Sequence, residues 1–247
     1  MERRIDDLGI NGLKLIQNPN YFCFGIDAVL LSDFAKQMKS NMTVMDLGCG
    51  NGILPLLLSA KTKSKKIYGI EIQKELYELA KENIELNELN GLVEIKNMDI
   101  KELNNEFAKG SIDVIVTNPP YKKQGTGLIN DNEHIQIAKH EILCTLEDII
   151  KQSSYLLTSL GEFYMVHRPD RLVDIIYLMR KYAIEPKEIK YVHPKAKEEP
   201  NLILIKGIKE GKTFLKTLPP LYVYNENGEY TNEILEIYGK DIEYAKR

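Results

Sequence analysis

The sequence predicts an α/β protein built on a mostly parallel sheet with helices on both faces, and three observations carry that expectation. From Thr43 onward, short runs rich in β-branched residues alternate with amphipathic stretches of helical period. That alternation is the signature of strand–helix–strand units. The first strand-like run ends in DLGCGNG (Asp46–Gly52), a glycine-rich turn that leads into a helical stretch. The last two strand-like runs are separated only by the segment around PKAKEE (194–199). A parallel crossover needs about a dozen residues, so the final strand of a seven-stranded sheet should run antiparallel.

In chain order, TVMDLG (43–48) reads as the first sheet strand and ILPLLLSAK (53–61) as the helix after it. KIYGIEI (66–72) is the second strand, and QKELYELAKENIELNEL (73–89) carries its apolar residues at helical spacing. LVEIKNMD (92–99) gives a third strand, and SIDVIVTN (111–118) a fourth that is apolar enough to be central. A helix over roughly 145–159 leads to a fifth strand, GEFYMVH (161–167), and a helix from Asp170 to Tyr182 follows. EIKYVHP (188–194) and NLILIKG (201–207) close the sheet.

Ahead of the sheet, RIDDLGI and LKLIQ flank Asn11-Gly12, a strong short hairpin signal. IDAVLLSDFAK (26–36) reads as an amphipathic helix. Behind the sheet, LPPLYVYNENGEYTNEILEIYGK (218–240) reads as a short strand, a turn and a capping helix. The expected organisation is an N-terminal extension (1–42), a core (43–210) and a C-terminal embellishment packed on that core (211–247).

At 247 residues the chain can bury a substantial core without disulfides or a structural metal. No apolar run approaches the ~20 residues of a membrane helix, and the opening MERRIDDLGI lacks the pattern of a secretory signal. Cys23, Cys49 and Cys144 are odd in number and without a CxxC pair, which suits buried thiols in a reducing compartment and no metal site. The expectation is a cytoplasmic protein. A formal charge of −3 excludes a uniformly basic nucleic-acid binder. Charge is uneven, however: residues 180–216 hold ten Lys/Arg against five Asp/Glu. That excess is either a solvated lysine-rich face or a surface for an anionic partner.

Glycines at 48, 50 and 52 allow a tight turn and close approach of a ligand to the backbone. In nucleotide-binding sheets such a turn faces the crevice at the carboxyl ends of the strands. The spacing here is GxGxG rather than GxGxxG, with Asp46 two residues before the first glycine. This arrangement suits S-adenosylmethionine, which has no phosphates: Asp46 can meet the methionine ammonium, and backbone amides its carboxylate. Glu71 ends the second strand, 19 residues after Gly52, where a carboxylate can accept both ribose hydroxyls. Asp99 ends the third and can accept from the adenine amine, with Met98 packing on the ring. Taken singly, these are an ordinary βα turn and surface acids; their order and placement at strand ends favour a cofactor.

Asn118-Pro119-Pro120-Tyr121 ends the fourth strand. Two prolines are costly inside a central strand but make a rigid turn. An aromatic or amide NH2 is a poor nucleophile because its lone pair is delocalised. The Asn118 side-chain oxygen and the Pro119 carbonyl can accept its two hydrogens and free the lone pair, while Tyr121 stacks on the planar group. Such stacking contributes ~1–3 kcal/mol per base. Asn118 thereby also borders the cofactor.

DLGCGNG with NPPY resembles the S-adenosylmethionine-dependent methyltransferases of class I, whose Rossmann-like sheet has seven strands with the last antiparallel. NPPY is shared by adenine-N6 methyltransferases of nucleic acids and by protein glutamine methyltransferases. FCFGIDAVLLSDFA (22–35), GEFYMVHRPDRLVDI (161–175), EPKEIKYVHP (185–194) and the closing segment resemble the bacterial tRNA(Val) adenine-N6 methyltransferase family from about residue 5 to 240. The resemblance implies methylation of an adenine N6 in tRNA, beside the anticodon. In its light Phe24, Gly25 and Asp27 would close over the methionine end of the cofactor, or would belong only to a helix packed on the sheet. Arg168 would contact an RNA phosphate or instead cap the following helix through Asp170. His140-Glu141 would serve the site or only cap a helix. Lys122, Lys123, His193, Lys195 and Lys197 would line the RNA path, with loop 122–135 ordering on RNA. Two other readings stay open: an N-methyltransferase of a release-factor glutamine, DNA or rRNA, and a non-catalytic RNA-binding protein that keeps the cofactor fold.

Overall fold

The computed structural model describes residues 3–18, 25–120 and 144–239. Strand β1 (Arg4–Asp7) and β2 (Lys14–Gln17) pair antiparallel as a separate hairpin. Asn11 (φ 48) and Gly12 (φ 70) are both left-handed, and the Leu13 N–H donates to the Ile10 carbonyl at 2.9 Å. This is the primed turn that Asn-Gly favours. Helix α1 (Ile26–Ala35) then precedes the main sheet, most of whose strands alternate with helices. They are β3 (Thr43–Leu47), α2 (Ile53–Lys61), β4 (Lys66–Glu71), α3 (Lys74–Leu86), β5 (Val93–Asn97) and β6 (Ile112–Thr117). Further along come α4 (Leu146–Leu156), β7 (Leu157–His167), α5 (Leu172–Lys181), β8 (Ile184–His193) and β9 (Leu202–Lys209).

The strand order β8-β9-β7-β6-β3-β4-β5 is parallel throughout except for β9, which lies antiparallel between β7 and β8. This is the Rossmann-like class I arrangement. From β3 the chain runs one way through β4 and β5, then returns to β6 and β7 on the other side. The reversal opens a crevice at the carboxyl ends of β3 and β6.

Alternate residues of the central strands feed two cores, one on each face. Val44, Val114, Val116, Tyr164 and Val166 pack with α1, α2 and α3; Met45, Ile115, Phe163, Met165 and Ile205 pack with α4 and α5. Both sets are buried, so these strands read as continuous apolar runs rather than alternating ones.

Three elements differ from the sequence expectation. Helix α1 is buried on nearly every side, with Ala28 through Ser32 and Ala35 enclosed, because α2 and the sheet cover it together with α6 (Asn232–Ile237). It is therefore a core helix and not an amphipathic one. Strand β7 begins at Leu157, where the helix had been expected to continue; an exposed Leu160 in left-handed conformation (φ 62) carries the strand past an irregularity in its pairing with β6. Strand β8 starts four residues early at Ile184 and absorbs Pro186 at a register shift. A residue without an N–H is tolerated there.

Beyond β9, β10 (Lys216–Thr217) and β11 (Leu221–Tyr222) pair in succession along the free edge of β8, interrupted by Pro219-Pro220. They cover an edge that would otherwise offer unpaired backbone groups. Helix α6 follows, capped by the Thr231 hydroxyl, which accepts from the Ile234 N–H at 3.4 Å. Lys61 Nζ donates to the Ile237 carbonyl at 3.1 Å and so fastens this end of the chain to α2. Among the described residues no helix is long and apolar enough to cross a membrane.

Candidate active site

The crevice at the strand ends is a cleft open to solvent. Gly48, Glu71, Asp99, Pro119 and Pro120 line it, so residues from four different strands converge there. Ile72, Ile100 and Ile149 supply the apolar wall.

The glycine turn is held from the sheet side. The N–H groups of Gly48 and Cys49 both donate to the Ile70 carbonyl at 2.9 Å, and the Gly50 N–H donates to Glu71 Oε2 at 2.9 Å. Gly48 (φ 79), Gly50 (φ 55) and Gly52 (φ 84) are all left-handed. They split by purpose. A Cβ on Gly48 or Gly50 would meet nothing within 4 Å, whereas one on Gly52 would lie 3.3 Å from the Ala80 Cβ. The first two leave room for a ligand; the third lets α2 approach α3. Gly69 in β4 does related work beneath the turn, since a Cβ there would sit 2.6 Å from Ile95 and 2.9 Å from the Cys49 sulfur.

Asp46 ends β3 fully buried, and neither carboxylate oxygen has a hydrogen-bond partner among the described residues. Burial, and then the nearby charge of Glu71, push its pKa well above the usual carboxylate range. An acid in that state is costly unless something positive or hydrogen-donating meets it. Glu71 is buried too, but satisfied: Oε2 takes the Gly50 N–H, and Oε1 takes the Gln73 N–H at 2.8 Å. It is also one of the residues lining the cleft. Asp99 caps the short 3-10 turn of Ile100–Asn105 by accepting from the Lys101 N–H at 2.9 Å, and it pairs with Lys101 Nζ at 3.4 Å. Met98 is half-buried against the core on the α4 face, while Ile72 and Ile100 stand beside the two acids in the cleft wall.

At the end of β6 the buried Thr117 hydroxyl donates to the Leu47 carbonyl at 2.9 Å, tying the start of Asn118-Pro119-Pro120 to the end of β3. Pro119 is buried and Pro120 exposed. The Asn118 side chain makes no hydrogen bond to any described residue. Tyr121, Lys122, Lys123, His140, Glu141 and Phe24, together with loop 122–135, lie outside the described residues. Asp27 is buried in the first turn of α1.

The next strand end, β7, places His167 at the same edge. The Arg168 N–H donates to its Nδ1 at 2.8 Å, which leaves the ring proton on Nε2. Burial, with Arg171 adding repulsion, lowers its pKa to about 4. The ring is therefore neutral at physiological pH. Arg168 Nε pairs with Asp170 Oδ1 at 3.0 Å.

Much of the positive excess over 180–216 is neutralised locally. Arg180 pairs with Glu185, Lys181 with Glu147, Lys190 with Glu233 and Lys206 with Glu162; Lys209 donates to Ser154. His193 is held by the Glu198 carbonyl at 2.7 Å and packs on the Tyr222 ring. Lys195 and Lys197, in the β8–β9 turn, form no ion pair with any described residue. Among the described residues no cluster of three or more His, Cys, Asp or Glu could hold a metal ion.

Sequence reasoning missed the isoleucines of the cleft wall. Their signal was present: Ile72 and Ile100 each directly follow a strand-end acid.

This geometry fits S-adenosylmethionine on the chain's own terms: an unpartnered buried acid beside a glycine cradle, two further acids at successive strand ends, and apolar walls between them. Relatives agree with the fold and chemistry. A protein of Porphyromonas gingivalis called tRNA1(Val) (adenine(37)-N6)-methyltransferase is 28% identical over 185 residues, 73% of this chain and 72% of that one. One of the same name from Glaesserella parasuis is 26% identical over 226 residues, 89% of each chain. Among solved structures, a predicted O-methyltransferase from Agrobacterium tumefaciens superposes with a TM-score of 0.68 at 21% identity, over 86% of this chain and 95% of the other. A SAM-dependent methyltransferase from Aquifex aeolicus gives 0.53 at 14% identity, over 74% and 92%. Residues 13–181 match the family described as methyltransferase small domain. The chain belongs to that methyltransferase family.

Proposed function

We propose that the protein transfers a methyl group from S-adenosylmethionine to the exocyclic N6 of an adenine in tRNA, at the position beside the anticodon. The observation that carries this reading is that the buried, unpartnered Asp46 and the Asn-Pro-Pro turn stand at the ends of the neighbouring strands β3 and β6, where Gly48, Glu71, Pro119 and Pro120 line one cleft. The relatives' printed names supply the substrate class.

In this reading Asp46 faces the methionine ammonium and Glu71 the ribose hydroxyls. Asp99 accepts from the adenine amine of the cofactor while Ile72 and Ile100 sandwich its ring, the part expected of Met98; Gly48 and Gly50, whose amides are held by Ile70 and Glu71, leave open space to the methionine end, and Phe24 and Asp27 close it. The bound cofactor supplies an electrophilic methyl on a sulfonium sulfur. Asn118 Oδ1 and the Pro119 carbonyl accept the two N6 hydrogens of the target adenine, so that the nitrogen lone pair turns away from the ring. Tyr121 stacks on the extruded base. A base in a loop is less costly to turn out than one in a duplex. No base need act before transfer, because the nitrogen sheds its proton only after the new bond has formed. Acceleration comes from fixed polarity and alignment. Lys122, Lys123, Lys195 and Lys197 meet phosphates along the RNA path.

The test is to supply labelled S-adenosylmethionine with unmodified tRNA, duplex DNA or a release factor in separate reactions, and to identify the methylated product after digestion. N6-methyladenosine from tRNA is the expected result. Label in methylglutamine or DNA would move the substrate to the other readings, and label nowhere would leave a binding protein.

A further inference from the structure

Asn83 lies on α3, outside the cleft, and is fully buried. Its Oδ1 accepts the Ile16 N–H at 2.6 Å, and its Nδ2 donates to the Ile16 carbonyl at 3.1 Å and to the Asn51 carbonyl at 3.0 Å. One donor and two acceptors face it, so the amide orientation is fixed and all its hydrogens are used. Asn51 stands between Gly50 and Gly52 in the glycine turn. Flanked by two left-handed glycines, it is in the stretch of the turn with the most backbone freedom to lose. Four residues on, Pro55 has no N–H to return to the Asn51 carbonyl. The sheet holds the first half of the turn through Ile70 and Glu71. The second half is held by Asn83.

We propose that Asn83 is a positioning residue of the cofactor site, which latches the glycine turn to the backbone of the N-terminal hairpin so that β2 and the cofactor stabilise one another. The inference rests on the cofactor reading of that turn. Asn87, one helical turn further along, supplies an internal comparison. It clasps Lys14 in the same manner, accepting from its N–H at 2.8 Å and donating to its carbonyl at 2.7 Å, but it has no bond to the glycine turn. Together the two amides imitate a neighbouring strand along β2, and only one of them reaches the site. Loosening the hairpin at Asn87 should therefore leave the turn alone, while loosening it at Asn83 should not.

The experiment measures S-adenosylhomocysteine binding by calorimetry for the full chain, Asn83→Ser and Asn87→Ala, with kcat at saturating cofactor. Coupling of this kind predicts a Kd raised by about tenfold in Asn83→Ser, little change in kcat, and a Kd within about twofold of the parent in Asn87→Ala. Equal affinities in the two variants would overturn the proposal. Should Asn83→Ser fail to fold, amide hydrogen exchange on the unaltered protein decides the matter. By reciprocity, S-adenosylhomocysteine should slow exchange at Ile16 and leave β9, on the far side of the main sheet, unchanged; unchanged exchange at Ile16 would overturn the latch. An unaltered protein that bound no S-adenosylhomocysteine would instead overturn the cofactor reading, and the latch with it.

Discussion

The carboxyl ends of β3, β4 and β5 and those of β6 and β7 share one edge of one sheet, yet they are finished in different ways. On the first side nearly every polar group is already engaged. Glu71 takes two backbone N–H groups, Asp99 caps a turn, and the glycine loop hangs from Ile70. Among the described residues Asp46 is left over, and it is buried. On the second side the strand stops at two prolines, and the Asn118 amide has no partner among the described residues. The first side is a mould for a ligand of fixed shape. The second offers acceptors to something that arrives. A methyl donor and a nucleobase amine divide along the same line.

The largest effect should come from breaking the second side. In the proposed reading Asn118→Ala removes one of two acceptors for the amine and should lower kcat by about a hundredfold or more, in the range seen when a preorganised polar group is deleted. A loss below about tenfold would remove Asn118 from the chemistry.

His167 sharpens the comparison by a different route, because it is buried at the end of β7. Its folded pKa of about 4 lies below its unfolded value of 6.5. On acidification the unfolded chain takes up this proton first, so the contribution to stability is complete above 6.5 and is lost as pH falls from there toward 4. The loss should reach roughly 3 kcal/mol. An asparagine amide oxygen can still accept the Arg168 N–H but does not titrate, so His167→Asn should flatten that portion of the urea-unfolding profile; a slope that persisted would place the titration elsewhere.

On the first side, burial and then the charge of Glu71 raise the Asp46 pKa well above the usual carboxylate range. Meeting an ammonium should lower it again. In the pH range where Asp46 titrates, S-adenosylhomocysteine binding should then release a proton, seen as a buffer-dependent heat in calorimetry, and affinity should rise with pH. Asp46→Asn should abolish the proton release and weaken binding by about tenfold. Binding with no change in protonation would show that Asp46 does not face the ammonium.

The smallest effect lies at the rim. Lys197→Ala should reduce the salt dependence of tRNA binding by about one unit of slope, with only a modest change in affinity. An unaltered slope would take the β8–β9 turn out of the RNA path.

The sheet was legible in the sequence because strands buried on both faces announce themselves as short apolar runs between helices of clear period. Val44–Leu47 and Val114–Val116 are of that kind. The cofactor turn was legible for a related reason: glycines at fixed spacing after a strand answer to one backbone geometry. What stayed hidden depends on contacts between distant residues. Nothing local in α1 says that α6 will cover its outer face, and nothing in ENIELN says that Asn83 will hold Ile16 and Asn51. The two readings of the lysines of 180–216 could not be separated for the same reason, since the acidic partners Glu147, Glu162 and Glu233 come from other elements.

The division of the edge is tested most directly by measuring, for Asp46→Asn and Asn118→Ala side by side, the Kd of S-adenosylhomocysteine and kcat on tRNA at saturating cofactor. The predicted result is a crossed pattern: Asp46→Asn loses about tenfold in affinity and little in kcat, while Asn118→Ala loses about a hundredfold in kcat and less than about threefold in affinity. If both variants lost affinity and turnover in the same proportion, the two halves of the cleft would not be separate in function, and the account would be wrong.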